Sequence, residues 1–165
     1  MSHTGGQTTG GRIVEVEAYH GTEDPASHAF RGSTLRTAPM FLAGGTVYVY
    51  LSYGLHTCVN LVTGPVGNGQ AVLIRALEPT IGLEVMAQRR NQTDPRLLTR
   101  GPGRVGQALG ITRNLSGSQL GGMLELRPPT TALDPAQIVR GPRVGTTKAA
   151  DNPWRFWLRD NRFVS

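Results

Sequence analysis

Alternating apolar and polar residues predict a β-strand over residues 12–19. Val14, Val16 and Ala18 occupy one face of this strand, which we expect to pack on the core. The opposite face carries Glu15 and Glu17, which are expected to point to solvent or into a cleft. An outward glutamate is most often a solvated residue. The pattern alone therefore assigns no function to either glutamate.

Composition predicts the remaining elements. Four segments rich in β-branched and aromatic residues are expected to form strands: Thr46–Tyr53, His56–Val62, Ala71–Leu77 and Trp154–Arg159. Two segments are expected to form helices: Pro79–Arg90 and Val105–Ile111. Asp94-Pro95 and Asp134-Pro135 resemble helix starts, because an N-cap carboxylate is followed by proline.

Short strands interspersed with helices predict fold class α+β, with one domain built on a curved, mainly antiparallel β-sheet and a few short helices. A chain of 165 residues has the size of one domain. Residues 1–11, rich in glycine and polar side chains, are expected to be a flexible segment or a truncated hairpin. The folded domain is then expected to cover residues 12–165.

Charge gives the first indication of a partner. The chain has 17 Lys and Arg against 11 Asp and Glu, a net charge of +6. Such a basic domain is typical of nucleic-acid-binding proteins, although charge alone favours this class only slightly. No apolar stretch is long enough to span a membrane, and the N-terminus lacks the features of a secretory signal. We therefore expect a cytoplasmic protein with no membrane partner.

Metal and nucleotide cofactors are not expected. Cys58 is the only cysteine, which excludes an internal disulfide and a multi-thiolate metal site. The four histidines show no paired spacing typical of a metal site. The segment Gly101–Gly106 satisfies the dinucleotide pattern G-x-G-x-x-G, but Pro102 and the absence of a βαβ context argue against that interpretation.

Six motifs together resemble one known family. They are Arg12-Ile-Val-Glu-Val-Glu-Ala-Tyr19, Asp24-Pro-Ala-Ser-His28, Tyr48-Val-Tyr-Leu-Ser-Tyr-Gly54, Cys58-Val-Asn60, Leu73-Ile-Arg-Ala-Leu-Glu-Pro79 and Arg143-Val-Gly145. In order and spacing they are similar to the 3-methyladenine DNA glycosylase family, of the alkyladenine glycosylase type, and the resemblance runs from residue 12 to residue 165. It implies a monomeric DNA repair enzyme, associated with the nucleoid and needing no cofactor. Its partner would be double-stranded DNA containing alkylated or deaminated purines.

The resemblance also implies catalytic roles. Glu17 would be the general base that activates the attacking water, Arg75 would help to hold that water, and the backbone carbonyl of Val144 would be a further ligand of it. Hydrolysis of an N-glycosidic bond needs such a carboxylate, because the water must lose a proton as it bonds to the sugar. The target atom is unreachable inside a stacked duplex, so the nucleotide must be flipped out.

Residues that bind the base and the DNA follow from the same resemblance. Tyr19 would stack on one face of the flipped base, with His28 and Tyr50 against the other and the His28 amide donating to the base edge. Asn60 would lie at the pocket floor, opposing the exocyclic amine of guanine. Three residues would contact the DNA itself: Tyr53, filling the gap left by the base, Arg104, on a phosphate, and Met40. Each stack can return about 1–3 kcal/mol, and electron-rich rings favour cationic alkylated purines.

The chain departs from the family pattern in two places. Family members have an N-terminal helix and a strand before the Glu17 strand, where this chain has only residues 1–11. Thr34-Leu-Arg-Thr37 stands where the family commonly has Thr-Pro-Arg-Asn. Because that loop lies near the DNA in relatives, its contacts with the DNA backbone are expected to differ in this chain.

Two other functions stay open at the level of sequence. A non-catalytic relative could bind damaged DNA without excising the base, although Glu17, Arg75 and Val144 together favour the enzyme. A nucleoside or cofactor enzyme would act on free nucleosides without DNA. Lys148 is the only lysine and lies outside the motifs. We therefore predict a monofunctional enzyme that leaves an abasic site and forms no Schiff base.

Overall fold

The longest strand, β2 (Gln7–His20), lies inside a seven-stranded sheet in the computed structural model, which describes residues 1–165. The other strands are β1 (Ser2–Thr4), β3 (Val47–Ser52), β4 (His56–Thr63), β5 (Gln70–Ile81), β6 (Ile138–Gly141) and β7 (Arg155–Leu158). The order across the sheet is β3-β4-β5-β2-β7-β6, with β1 paired to β2. Every pair is antiparallel and the sheet is not closed. The α+β class predicted from the sequence is confirmed.

The first residues form a β-hairpin, the second of the two alternatives that the sequence left open. β1 pairs with the start of β2, with Ser2 opposite Thr9, and both residues are fully buried. Gly5 and Gly6 form the turn, each at a positive φ that suits glycine. Residues 7–11 therefore extend the predicted 12–19 strand in the N-terminal direction.

Three α-helices lie between β5 and β6: α1 (Leu83–Arg90), α2 (Pro95–Leu98) and α3 (Pro102–Ala108). The prediction that α1 begins at Pro79 was wrong, because Pro79 pairs with Gly11 in the sheet and the chain turns only at Gly82, at φ +70°. The Asp94 carboxylate caps α2 by accepting from the Arg96 amide, as predicted. Asp134 accepts similarly from Ala136, at the start of the 3₁₀ turn 135–137.

The helix predicted over residues 105–111 lies three residues earlier in the chain, as α3. α3 begins at Pro102, where proline at the first helical position needs no N–H partner. Gly103 and Gly106, which match the dinucleotide pattern, allow α3 to pack closely on β4. A Cβ on Gly106 would lie 2.0 Å from the Thr57 carbonyl oxygen, and one on Gly103 would lie 2.8 Å from the His56 side chain.

A bulge in the β2–β5 pairing divides the expected core face of β2. Val14 in β2 and Arg75 in β5 fall between the paired positions, so the alternation of faces breaks there. Val14 packs with Ala76, Leu158 and Phe163 in a small cluster, whereas Val16 packs against the large core cluster that α3 helps to cover. The prediction of one shared core face for Val14 and Val16 was therefore wrong.

Candidate active site

Both strand glutamates are buried, in contrast to the expectation that they face solvent or a cleft. The exposed fraction is 1% for Glu15 and 0% for Glu17. Isolated carboxylates are too costly to bury. Each is therefore held by guanidinium and N–H groups that compensate its charge.

Glu17 is surrounded by three groups from three parts of the chain. Its Oε1 accepts a 2.7 Å hydrogen bond from the Val144 backbone amide. The same oxygen lies 3.2 Å from Arg75 Nη1 in an ion pair. Its Oε2 accepts a 3.0 Å hydrogen bond from the Tyr19 hydroxyl. The structure thus brings Glu17, Arg75 and Val144 together with Tyr19, although Val144 makes its contact through the backbone amide and the prediction concerned its carbonyl.

Arg75 joins the two buried glutamates. Its Nε donates to Glu15 Oε1 at 2.9 Å and its Nη2 to the Ser165 hydroxyl at 3.2 Å. Glu15 Oε1 also accepts from Arg155 Nε at 2.6 Å, while its Oε2 accepts from the Ser165 amide at 2.6 Å. Two carboxylates and two guanidinium groups therefore form one charge-balanced network.

These donors keep Glu15 ionised. Burial raises the pKa of the Glu15 carboxyl, but the Ser165 amide and hydroxyl and the guanidinium groups of Arg155 and Arg75 outweigh burial and hold the pKa below its usual value. Because Glu15 stays anionic at neutral pH, it holds Arg75 through Nε, and Nη1 of the same guanidinium is then directed at Glu17.

A second buried ion pair supports the same region from the opposite side. Arg143 binds Asp24 with both terminal nitrogens, and both side chains are fully buried. Arg143 Nη1 also donates to the Ala18 carbonyl at 3.0 Å. The pair thereby ties the loop before His28 to β2 and to the segment that carries Val144.

Tyr19 lies with its ring against this pair. The Arg143 guanidinium carbon is 4.6 Å from the Tyr19 ring centroid and 5.0 Å from that of Trp154. Burial, and then the Glu17 carboxylate, raise the pKa of the Tyr19 phenol well above its usual value. The Tyr19 phenol is therefore neutral and donates a hydrogen bond to the Glu17 carboxylate.

A separate aromatic cluster contains His28, Tyr48 and Tyr50. The His28 and Tyr50 ring centroids are 4.5 Å apart in an edge-to-face arrangement, and the Tyr48 and Tyr50 rings stack at 5.8 Å. His28 Nδ1 is 3.0 Å from the Tyr48 hydroxyl. Burial, and then the Arg36 charge, lower the pKa of His28. This cluster therefore presents neutral rings near neutral pH.

The His28 backbone N–H has no hydrogen-bond partner in the chain. The neighbouring amides in this turn are paired, because Ser27 N donates to the Asp24 carbonyl and Ala29 N to the Ser27 hydroxyl. A free amide beside an aromatic cluster is available to a ligand.

Two further site predictions concern buried residues. Asn60 is 4% exposed and its Nδ2 donates to the Tyr48 carbonyl at 3.2 Å, which places it beneath the aromatic cluster. Met40, predicted to contact DNA, is only 3% exposed and packs in the core with Ala29 and Val62. The prediction that Met40 contacts DNA was therefore wrong, because its side chain lies in the core and not at the surface.

The other two predicted DNA contacts lie at the surface. Tyr53 is 93% exposed at the tip of the β3–β4 hairpin and has φ 51°, a left-handed conformation in a tight turn. Arg104 is exposed in the first turn of α3, next to Gly103, which packs close to His56 at the start of β4, just after the tip of the same hairpin. One surface region therefore presents an aromatic tip and a cation.

Sequence reasoning missed the groups that support Glu17 and Arg75: Glu15, Asp24, Arg143, Arg155 and Ser165. Glu15, Asp24 and Arg143 already lay in the quoted motifs, which was an available signal. Two oppositely charged residues 119 positions apart give no pattern by which to pair them. For Arg155 and Ser165, no signal in the sequence indicated a role.

Comparisons with known proteins show the family of this chain. The family described as methylpurine-DNA glycosylase (MPG) matches residues 1–162. The chain belongs to the methylpurine-DNA glycosylase family. As a member of a DNA glycosylase family, it has DNA as its partner.

Relatives cover nearly the whole chain. A protein of Methanoculleus marisnigri named "Putative 3-methyladenine DNA glycosylase" is 55% identical over 161 residues, which are 96% of this chain and 83% of that protein. Proteins with the same name from Nitrosospira multiformis and Frankia casuarinae are 52% and 47% identical, over 94% and 93% of this chain and 79% and 78% of their own lengths.

In this family member, no cluster of three or more His, Cys, Asp or Glu side chains could hold a metal ion. None of the helices has the length and the apolar character needed to cross a lipid bilayer.

Proposed function

We propose that this DNA glycosylase hydrolyses the N-glycosidic bond of alkylated or deaminated purines flipped out of duplex DNA, and that it works as a monomer. The observation that carries the proposal is the meeting of Glu17, Arg75 and Val144, from three separate motifs, around one buried carboxylate. Glu15 is buried and compensated in a similar way, but only Glu17 is also bonded to the hydroxyl of Tyr19, the residue expected to stack on the base.

In this mechanism Glu17 takes a proton from water, and the water oxygen bonds to the anomeric carbon. The electron pair of the glycosidic bond leaves with the base, so a cationic alkylated purine departs neutral, whereas a neutral deaminated purine departs as an anion that then takes a proton from solvent. Arg75 and the Val144 carbonyl would hold the water. Because Glu17 is fully covered, water enters by a small shift of a neighbour, and Val144, at 47% exposed, is the least enclosed of these.

The flipped base would stack between Tyr19 and the ring pair of His28 and Tyr50. Support comes from the unpaired His28 amide, which can donate to the base edge, and from the neutral rings of the cluster. Asn60, beneath the cluster, would limit the room for the exocyclic amine of guanine. Stacking on the two walls would return about 1–3 kcal/mol per ring, enough to offset the cost of unstacking.

We further propose that the enzyme is monofunctional. Lys148 is exposed and makes no hydrogen bond or ion pair with the Glu17 network. A Schiff-base mechanism needs an amine at the anomeric carbon. Borohydride should therefore trap no covalent protein–DNA species on lesion duplexes, and a trapped species would contradict this point.

The test of the function is a Glu17→Gln variant assayed on duplexes that contain hypoxanthine, 3-methyladenine or ethenoadenine. Gln keeps the size of the side chain but cannot accept a proton. We expect the variant to bind lesion DNA and to release no base, with an exposed-carboxylate variant, Glu84→Gln, as the matched control. Equal release by Glu17→Gln and the unmodified protein would end the assignment. Binding of lesions without release by the unmodified protein would indicate a non-catalytic damage sensor.

A further inference from the structure

The two oxygens of the Glu17 carboxylate have unequal surroundings. Oε1 faces the two stronger partners, the Val144 amide at 2.7 Å and the Arg75 guanidinium at 3.2 Å. Oε2 has a single partner, the neutral Tyr19 hydroxyl at 3.0 Å. A carboxylate oxygen has about two acceptor directions, so Oε2 keeps one of them free.

This asymmetry originates in the local sequence. Glu17 and Tyr19 are two residues apart on one strand, so their side chains emerge on the same face of β2. The Tyr19 hydroxyl reaches back along the strand to Oε2, while Arg143 packs on its ring at 4.6 Å. Arg143 thus holds the Tyr19 ring in place, and the Tyr19 hydroxyl points at Glu17.

We infer that the Tyr19 hydroxyl is a positioning group for Glu17, orienting the carboxylate so that Oε2 takes the proton of the attacking water. Oε1 is the poorer proton acceptor, because an amide and a cation already stabilise its charge. This role is additional to base stacking by the Tyr19 ring, and it rests on the proposed function.

Tyr19 is suited to remain a donor throughout the working pH range. Burial and the adjacent carboxylate raise the pKa of its phenol, so the proton stays on the hydroxyl. The charged groups around Glu17 are Arg75 from β5, Arg143 from the segment after β6, and, beyond Arg75, Glu15 and Arg155. None of these has to titrate for the hydrogen bond to form.

The experiment compares base release under single-turnover conditions, from pH 5 to pH 9, by the unmodified protein, Tyr19→Phe and Tyr50→Phe. Tyr19→Phe keeps the ring but removes the donor, which favours the protonated carboxyl. We expect the acid limb of its pH–rate profile to move up by about one pH unit, with lesion binding within about threefold. Tyr50→Phe also loses a hydroxyl from a stacking wall, and it should leave the position of the acid limb unmoved.

Several outcomes would overturn the inference. If the acid limb of the pH–rate profile is the same for Tyr19→Phe and the unmodified protein, Tyr19 does not position Glu17 and only its ring can have a role. An equal shift in Tyr50→Phe would assign the effect to the aromatic pocket in general. No base release by the unmodified protein, or full release by Glu17→Gln, would overturn the proposed function and this inference with it.

A measurement without turnover tests the same contact. The Tyr19 hydroxyl donates to a carboxylate oxygen at 3.0 Å, and Gln in place of Glu17 offers only a neutral amide, which is a weaker acceptor. In Glu17→Gln, the hydrogen-bond-sensitive ultraviolet resonance Raman bands of one of the four tyrosines should therefore shift at neutral pH. Unchanged tyrosine bands would show that the hydroxyl does not sense Glu17, and would overturn the inference even if the rates had changed.

Discussion

The Val144 amide donates to Glu17 Oε1 across 2.7 Å, although the two residues are 127 positions apart in the chain. The bond joins the central strand of the sheet to an irregular segment after β6. It is flanked by two buried ion pairs, Glu15–Arg75 and Asp24–Arg143. The geometry of the candidate base therefore depends on residues that do not touch it directly.

A Glu15→Gln substitution tests how far Arg75 depends on its anchor. We expect base release to slow by about tenfold, equivalent to about 1.4 kcal/mol, because Arg75 loses the charge that fixes its Nε. Because the substitution also leaves the Arg75 and Arg155 guanidinium groups short of one counter-charge, urea unfolding should first show that the variant is folded, and its affinity for lesion DNA should then change little. Single-turnover rates with Glu125→Gln, a surface partner of Arg127, as control would check this; an unchanged rate would contradict it.

An Asp24→Asn substitution should destabilise the fold strongly. It leaves the Arg143 guanidinium buried without its counter-charge, which costs about 3–5 kcal/mol in comparable pairs. Urea unfolding at neutral pH measures the loss. The control is Asp94→Asn, which alters an exposed carboxylate–arginine pair and should cost much less. Similar losses in both variants would argue against a structural role for the Asp24–Arg143 pair.

Acidification should destabilise the protein in two windows. Partial desolvation of the ring lowers the pKa of His28, an exposed residue, so the folded state resists its protonation and stability falls slightly as the pH drops below about 6.5. Ion pairs and amide donors outweigh burial and lower the pKa of Glu15 and of Asp24. Their contribution is complete above the usual carboxyl values of 4.5 and 3.8, and it is lost as the pH falls below them. Urea midpoints from pH 8 to pH 3 test this, and His28→Asn should abolish the upper window only.

Removal of the Tyr53 ring should affect DNA processing without affecting folding. The side chain is 93% exposed and buries almost no area, so Tyr53→Ser should leave the unfolding free energy within about 0.5 kcal/mol. If the ring fills the gap left by the flipped base, base release should slow by about tenfold or more. Val66→Ser, at another exposed loop, is the control, and equal rates for both variants would exclude the wedge role.

Neutralisation of Arg104 should weaken DNA binding in a salt-dependent way. If Arg104 contacts one phosphate, Arg104→Ala should lower the affinity for lesion and undamaged duplexes alike, and reduce the slope of log affinity against log salt by about one. The control is Arg127→Ala, at an exposed arginine paired with Glu125. A loss confined to lesion duplexes would point to a base contact instead.

Local patterns in the sequence predicted β2, β3, β4, β5 and β7, because alternation and β-branched composition are properties of short segments, but they did not predict β6. They failed at segment ends, where long-range pairing decides. Pro79 reads as the start of a helix, yet its pairing with Gly11 keeps it in the sheet. The alternation rule also failed at Val14, because a bulge is set by two strands together.

The order of the motifs in the sequence determined the family, and with it the expectation that Glu17, Arg75 and Val144 belong together. Only the tertiary structure decided the state of Glu17, an enclosed carboxylate with unequal oxygens instead of a strand residue facing solvent. The physical reason is that burial and charge compensation depend on groups brought from distant parts of the chain. No local pattern encodes the distance between Glu17 and Val144, or the bond between Arg143 and Asp24.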